Sequence, residues 1–359
     1  MQGIVWTGRL EVRDDVEVRP PGDREVKVRI VNAGLCHSDV SVLNGTIPFP
    51  TPVVLGHEGA GVVEEVGRGV TSVRPGDHVV LTTLGNCGQC DACDRGLPTH
   101  CRQSVGGGAG AGRFTVGGSD AFQFANTGVF SQQTIVWETQ CVAIDPAVPL
   151  ASACLIGCAV LTGTGAVLNR ARVQPGQTVA VIGAGGIGQS VIQGARLSSA
   201  SRIVVIDTNP AKEAAARQMG ATDFIDAAAA PDTVAALRDL GLPNGVDYAF
   251  ECVGHPALIR QAIEMLDWGG SCVMLGVPKL GTEVSFVVNS MYNDKSIMGC
   301  RYGSARPHHD IRLVVDFYKS GRFLLDEMVT RVYELPSIEQ ALSDLEGGKL
   351  NRAVLDLAG

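Results

Sequence analysis

Across the first 140 positions the apolar residues come in short Val/Ile runs, at 26–31, 61–66, 77–81 and 134–136, divided by turns such as Pro20-Pro21-Gly22 and Pro75-Gly76-Asp77. β-Branched runs bounded by Pro and Gly predict strands, and their close spacing predicts an irregular, mainly β domain. The pattern changes near residue 160. Residues 178–182 are apolar without interruption, as expected for a strand covered on both faces of a parallel sheet. A helix-length segment at 187–197 follows, then a strand at 202–207, an Ala-rich helix at 210–219, a strand at 223–225 and a helix at 233–240. Two more strands are predicted at 246–253 and 271–277. Strand and helix in alternation call for a doubly wound parallel sheet, so the chain is expected to be α/β, with the mainly β domain beside that sheet. After about residue 298 the rhythm stops. Helices at 310–320 and 338–346 and a strand at 352–357 are expected to return to the first domain. The expected organisation is therefore 1–159, 160–298 and a returning segment 299–359. The glycine-rich patch at 106–112 reads as a flexible loop.

Composition narrows the classes. A chain of 359 residues exceeds what one core usually serves, and 45% apolar against 18% charged residues supports burial rather than disorder. Lys and Arg total 29 against 37 Asp and Glu, giving −8, with no basic run to face nucleic acid. The N-terminus lacks a basic-then-apolar leader. The uncharged stretch 147–168 has the length of a membrane span, but Pro149, Gly157, Gly163 and Gly165 interrupt it and no basic flank precedes it. It is expected to be a buried segment of a cytoplasmic protein with no membrane partner. Eleven cysteines without a secretory leader point to metal rather than disulfides.

Gly183-Ala184-Gly185-Gly186-Ile187-Gly188 follows a predicted strand and opens a predicted helix, and Asp207 stands nineteen residues beyond Gly188 at the end of the next strand. In that setting the glycines allow a tight turn, a close approach of pyrophosphate to backbone, and close helix–strand packing. The helix N-terminus then holds the diphosphate. A carboxylate at Asp207 accepts from both ribose hydroxyls and repels a 2′-phosphate. NAD is expected over NADP, since Thr208 and Asn209 are uncharged and Arg202 lies at the far end of the strand.

Cys87, Cys90, Cys93 and Cys101 sit within one loop at 85–101. Four soft ligands at this spacing suit a closed, tetrahedral, structural zinc. An iron–sulfur cluster also takes four cysteines and is the rival reading. His100 is expected to point to solvent. A second group, Cys36, His57 and Cys158, is dispersed, and its spacing alone leaves buried thiols and a core histidine as an equal alternative.

With Gly56-His57-Glu58-Gly59, the cysteine loop, the glycine turn and Asp207 in this order, the chain resembles the zinc-dependent alcohol dehydrogenases of the medium-chain dehydrogenase/reductase family over essentially its whole length. The resemblance implies a GroES-like first domain and a Rossmann second domain. It implies a second, catalytic zinc held by Cys36, His57 and Cys158, with a fourth place open to water or alcohol. Cys154 competes with Cys158, and the family pattern favours Cys158. Glu58 matches a carboxylate behind the metal and Asp39 one that orients the ligand histidine, although either also reads as a surface charge. Ser38 is implied as the group that accepts the alcohol proton while hydride passes to NAD. Ser41 stands where many members carry a relay histidine, so the exit of that proton departs from the family pattern.

Further cofactor contacts implied by the resemblance are His37, Thr162, Gly183, Gly185, Gly186, Ile187, Gly188, Asp207, Lys212, Leu275, Val277 and Arg352. The places that hold adduct carboxylates in glutathione-dependent formaldehyde dehydrogenases correspond to Ile47 and Val105. Together with Thr83, Phe122 and Phe124, Ile47 suggests an apolar pocket for small uncharged alcohols or aldehydes. A thiol-adduct or polyol dehydrogenase is the alternative, and a non-enzymatic NAD- and zinc-binding redox sensor the third. A homodimer or homotetramer is also implied, with 285–289 as a candidate edge strand for pairing.

Overall fold

The computed structural model describes residues 1–103 and 112–358, so Val105 and nearly all of the glycine-rich patch lie outside the described residues. Residues 1–159 with 305–359 form one compact unit and 160–304 a second. The return to the first unit starts at Ala305, because the strand Ser296–Gly299 and the 3-10 turn Tyr302–Ser304 still belong to the second.

The first unit is organised by the eleven-residue strand Glu25–Leu35. Strand Glu58–Val66 pairs along one side of it, antiparallel. On the other side Gln133–Trp137 pairs with its first half and Arg352–Asp356 with its second. The last strand of the chain thus completes the sheet of the first unit. Val26, Val28, Ile30, Leu35 and Phe130 from the N-terminal part and Leu355 from the returning strand share one buried cluster.

In the second unit, among the described residues, six strands run parallel in the spatial order Asp223–Asp226, Arg202–Asp207, Thr178–Ile182, Val246–Glu251, Leu266–Met274, Ser296–Gly299. Numbered along the chain this is 3-2-1-4-5-6, the Rossmann order, whose reversal between the first and fourth strands opens a crevice at the carboxyl ends. Val179–Ile182 and Ile203–Ile206 are buried, as their continuous apolar runs require.

Residues 285–289 do not form the expected edge strand. Val288–Asn293 is a 3-10 helix, in which the Ser290 hydroxyl donates to the Val287 carbonyl (2.7 Å) and closes the turn. The sheet edge on this side is Ser296–Gly299, with Asp223–Asp226 at the other edge. Among the described residues no single helix is long and apolar enough to cross a membrane.

Candidate active site

Sheet register brings the dispersed group together. Gly34 stands opposite Glu58, and Ala353 opposite Leu35. Continuing both registers by one or two residues sets Cys36 beside His57 on one side and Arg352 on the other. Cys36 follows the central strand directly and caps the N-terminus of the helix His37–Leu43. His57 comes immediately before strand Glu58–Val66, after a Gly56 at φ +88° that leaves no room for a side chain beside Phe130. Cys158 follows the 3-10 segment Cys154–Gly157. Ligand atoms of Cys36, His57, Glu58 and Cys158 all lie within 4.8 Å of one another, and all four residues are buried. Cys154 is not in the group: its thiol donates to the Ala151 carbonyl (3.2 Å), and burial pushes its pKa up.

Asp39 is buried and joins the two ligand-bearing segments. Its Oδ2 accepts from the Cys36 N–H (3.1 Å), and its Oδ1 accepts from the Gly56 N–H (3.1 Å) and faces His57 Nδ1 at 3.3 Å. With Nδ1 turned to Asp39, Nε2 is the nitrogen left for a metal. The Cys36 thiol is held well below its usual range by the hydrogen bond with Cys158, against burial, with His57 adding to the effect. His57 moves the other way. Burial opposes its charge, but Asp39 and Cys36 outweigh it and raise the pKa well above the ordinary histidine value. Two thiols, one anionic in tendency, and an imidazole oriented by a carboxylate make a donor set that fits zinc.

Glu58 is buried behind these ligands, where its Oε1 accepts from the Ala159 N–H (3.2 Å) and its Oε2 pairs with Arg352. The pair crosses the central strand at Gly34, where any side chain would collide with the Glu58 carboxylate. Arg352, implied by the resemblance as a cofactor contact, meets Glu58 through one guanidinium nitrogen, while its buried Nε has no hydrogen-bond partner among the described residues. It is buried in the first unit, on the returning strand, and neutralises a carboxylate that would otherwise be stranded beside the metal group. Its sequence position gave no sign of this, because the register that sets it beside Cys36 spans more than three hundred residues.

His37 is exposed at the first position of the helix, and Ser38 is half-buried next to it. Ser41 is half-buried further along the same helix. Phe124 meets His57 edge-on, with ring centroids 5.4 Å apart, and meets Phe49 in the same way at 5.4 Å. Ile47 and Phe122 pack on the same cluster, and Thr83 is buried with its hydroxyl unpartnered. No spacing in the sequence marks Phe49 as part of this wall.

In the cysteine loop the sulfur separations are 3.6 Å for Cys90–Cys93, 3.7 Å for Cys101–Cys87 and 4.0 Å for Cys87–Cys93. A tetrahedron with Zn–S bonds of about 2.3 Å has edges of about 3.8 Å, so the four sulfurs fit a zinc ion. The N–H of Cys93, chiefly, brings the Cys90 thiol down to about 7, while burial first of all pushes Cys93 up to about 11. His100 is exposed and stands outside this group.

The second unit carries the cofactor features. Gly183 has φ +95°, and a Cβ there would lie 2.7 Å from Val253 Cγ2. A Cβ on Gly188 would strike the Gly183 carbonyl, so the helix Gly186–Leu197 packs directly on the turn. Above Gly185 nothing lies within 4 Å. That open cradle at a helix N-terminus fits a diphosphate. Asp207 ends its strand and accepts from the N–H groups of Ala184 (2.7 Å) and Asn209 (2.9 Å) and from Lys212 Nζ (3.1 Å). Ile187 follows Gly186 in the first turn of the helix. Thr162 and Leu275 are buried in the same unit, and Val277 is exposed beyond the end of its strand.

Residues 22–146 match the family model described as an alcohol dehydrogenase GroES-like domain, and residues 186–320 match that of a zinc-binding dehydrogenase. The chain is 40% identical over 349 residues to the S-(hydroxymethyl)glutathione dehydrogenase of Synechocystis, covering 95% of each. It is 38% identical over 364 residues to the probable S-(hydroxymethyl)glutathione dehydrogenase 1 of Schizosaccharomyces pombe, covering 99% of this chain and 96% of the relative. The crystal structure of benzyl alcohol dehydrogenase from Acinetobacter calcoaceticus aligns with a TM-score of 0.91 and 31% identity, over 100% of both chains.

Proposed function

We propose that this chain, which belongs to the zinc-dependent alcohol dehydrogenases of the medium-chain dehydrogenase/reductase family, oxidises uncharged alcohols to aldehydes or ketones with NAD and two zinc ions. The observation that carries the reading is the buried convergence of Cys36, His57 and Cys158, with His57 oriented through Nδ1 by Asp39. When bound, zinc supplies Lewis acidity toward an alcohol oxygen and NAD a hydride acceptor. Cys36, His57 and Cys158 are the donors that would hold the catalytic ion, and Cys87, Cys90, Cys93 and Cys101 the structural one. Glu58, paired with Arg352, keeps negative charge behind the ligands. Ser38 takes the alcohol proton at its hydroxyl oxygen and passes it toward solvent, with Ser41 rather than a histidine further along the helix. Gly183, Gly185, Gly186, Ile187 and Gly188 cradle the diphosphate and Asp207 selects NAD, with His37, Thr162, Lys212, Leu275 and Val277 as further contacts.

The choice of uncharged alcohols rests on the wall beside His57. No Asp, Glu, Lys or Arg occurs from Val40 to His57, and Phe124 meets the imidazole edge-on with Phe49 edge-on against Phe124. The names of the curated relatives favour the other reading, a hydroxymethyl–glutathione adduct, more strongly than this one. A panel of benzyl alcohol, medium-chain alkanols and formaldehyde with glutathione, assayed with NAD and NADP, separates them. Preference for benzyl alcohol with NAD is expected. A kcat/KM highest for the glutathione adduct assigns the second activity, and turnover with none of the panel leaves the sensor reading.

The chain is further proposed to act in the cytoplasm, where the reduced state of its cysteines is kept. It is proposed to associate with copies of itself, since Trp268, Leu280, Val288 and Tyr292 expose large apolar surface on the second unit.

A further inference from the structure

Glu251 ends the fourth strand of the parallel sheet, on the opposite side of Thr178–Ile182 from Asp207. It is fully buried, and among the described residues no lysine or arginine pairs with it. Burial, its leading influence, raises its pKa, which is the ordinary consequence of a carboxylate taken out of water. A buried carboxylate without a cation survives only if hydrogen bonds replace its hydration. Here they come from the turn that follows. Oε1 accepts from the N–H groups of Val253 (3.0 Å) and Gly254 (2.8 Å), and Oε2 also accepts from Gly254 (3.0 Å). The main-chain carbonyl of the same residue accepts from Leu275 (2.8 Å) and Gly276 (3.0 Å), beyond the end of the fifth strand. One residue thus ties together the loops that leave two neighbouring strands.

Those loops touch each other and the glycine turn. Gly254, at φ +88°, has the Val277 backbone within 2.9 Å of where a Cβ would stand. Gly276 faces Gly254 so closely that neither accepts a side chain. Val253 Cγ2 fills the space beside Gly183. Val253 and Val277 nevertheless leave large fractions of their side chains exposed, 51% and 60%, at the carboxyl ends of the strands.

A dinucleotide laid across this crevice puts its diphosphate on the glycine turn and its adenosine ribose on Asp207. Its other half then falls on the side of the fourth and fifth strands. We propose that Glu251 is a positioning residue for the nicotinamide half of NAD, holding the 252–254 turn so that Val253 and Val277 present a fixed apolar floor to the ring. The proposal rests on the reading of the second unit as an NAD site.

Glu251→Gln tests it on the full-length protein, with NADH and ADP-ribose titrated separately, since ADP-ribose shares every group of NADH except the nicotinamide. The amide keeps the shape of the carboxylate but points an NH2 at the Gly254 N–H. The dissociation constant for NADH should rise about tenfold, the scale of one lost charge-assisted hydrogen bond, while that for ADP-ribose stays within about twofold. Glu251→Asp, which keeps the charge but shortens the reach, should show the same asymmetry at smaller amplitude and serves if the Gln variant fails to fold. Equal losses for both ligands would make Glu251 a general support of the domain, and no loss for either would make the turn irrelevant; each overturns the proposal. Wild-type protein that binds neither ligand would instead overturn the NAD reading itself.

Discussion

Asp39 shows how a metal site depends on a residue that does not touch the metal. Its two oxygens fix the backbone before Cys36, the backbone before His57 and the imidazole itself. Asp39→Asn exchanges one of these acceptors for a donor that must face an N–H or the ring. Zinc affinity of the catalytic set should fall about 10- to 100-fold, as for other groups that orient a ligand histidine. Competition with a chromophoric chelator should show one zinc leaving early in the variant and the other held as in the wild type; two unchanged zincs would contradict the role given to Asp39. At this scale the sequence was informative where chemistry is local. The four cysteines of the loop announce themselves by spacing. Cys36, His57 and Cys158 do not, because a pairing register brings the first two together, and they were legible only through family resemblance. Glu58 and Asp39, which also read as surface charges, are buried. The pairing of Arg352 with Glu58, two strands away across a glycine, was not legible in the sequence.

Among the elements, the turn from strand Thr178–Ile182 into helix Gly186–Leu197 separates folding from binding within four residues. A Cβ on Gly188 has no space, since it meets the Gly183 carbonyl, whereas one on Gly185 meets no protein atom within 4 Å. Gly188→Ala should cost stability on the order of 1–3 kcal/mol, the range for overpacking. Gly185→Ala should melt like the wild type yet bind NADH and ADP-ribose more weakly, because the methyl occupies the place of the diphosphate. Thermal unfolding and ligand titration on the two variants check this, and a reversed pattern would mean that the cradle is misassigned. The strands Thr178–Ile182 and Arg202–Asp207 were legible because burial on both faces leaves an unbroken apolar run. The edge strand was not. Ser296–Gly299 lies at the rim of the sheet, is only partly buried, and carries no apolar run that periodicity can detect. The Val-Val pair at 287–288 does carry one, but the Ser290 hydroxyl closes a turn there instead. The fourth strand ends at Glu251, two residues short of the expected 253, since the Glu251 carboxylate gathers the N–H groups of the residues that follow it.

On the scale of the molecule, chemistry is divided between the two units. All seven proposed zinc ligands lie in residues 36–158, within the first unit, and the glycine turn, Asp207 and Glu251 lie in the second. The division was readable from the change of hydrophobic rhythm near residue 160. That the final strand Arg352–Asp356 completes the first unit's central sheet followed from the loss of strand–helix alternation, although its partner strand did not. The account depends on the identity of the third donor in the buried group, because Cys154 and Cys158 offer the same chemistry four residues apart and only one turns toward His57. Zinc content per chain of purified wild type, Cys158→Ser and Cys154→Ser, measured by atomic emission, decides it most directly. Two zincs in the wild type, one in Cys158→Ser and two in Cys154→Ser are predicted. A Cys158→Ser protein that keeps both ions, or a Cys154→Ser protein that loses one, would contradict the active site described above.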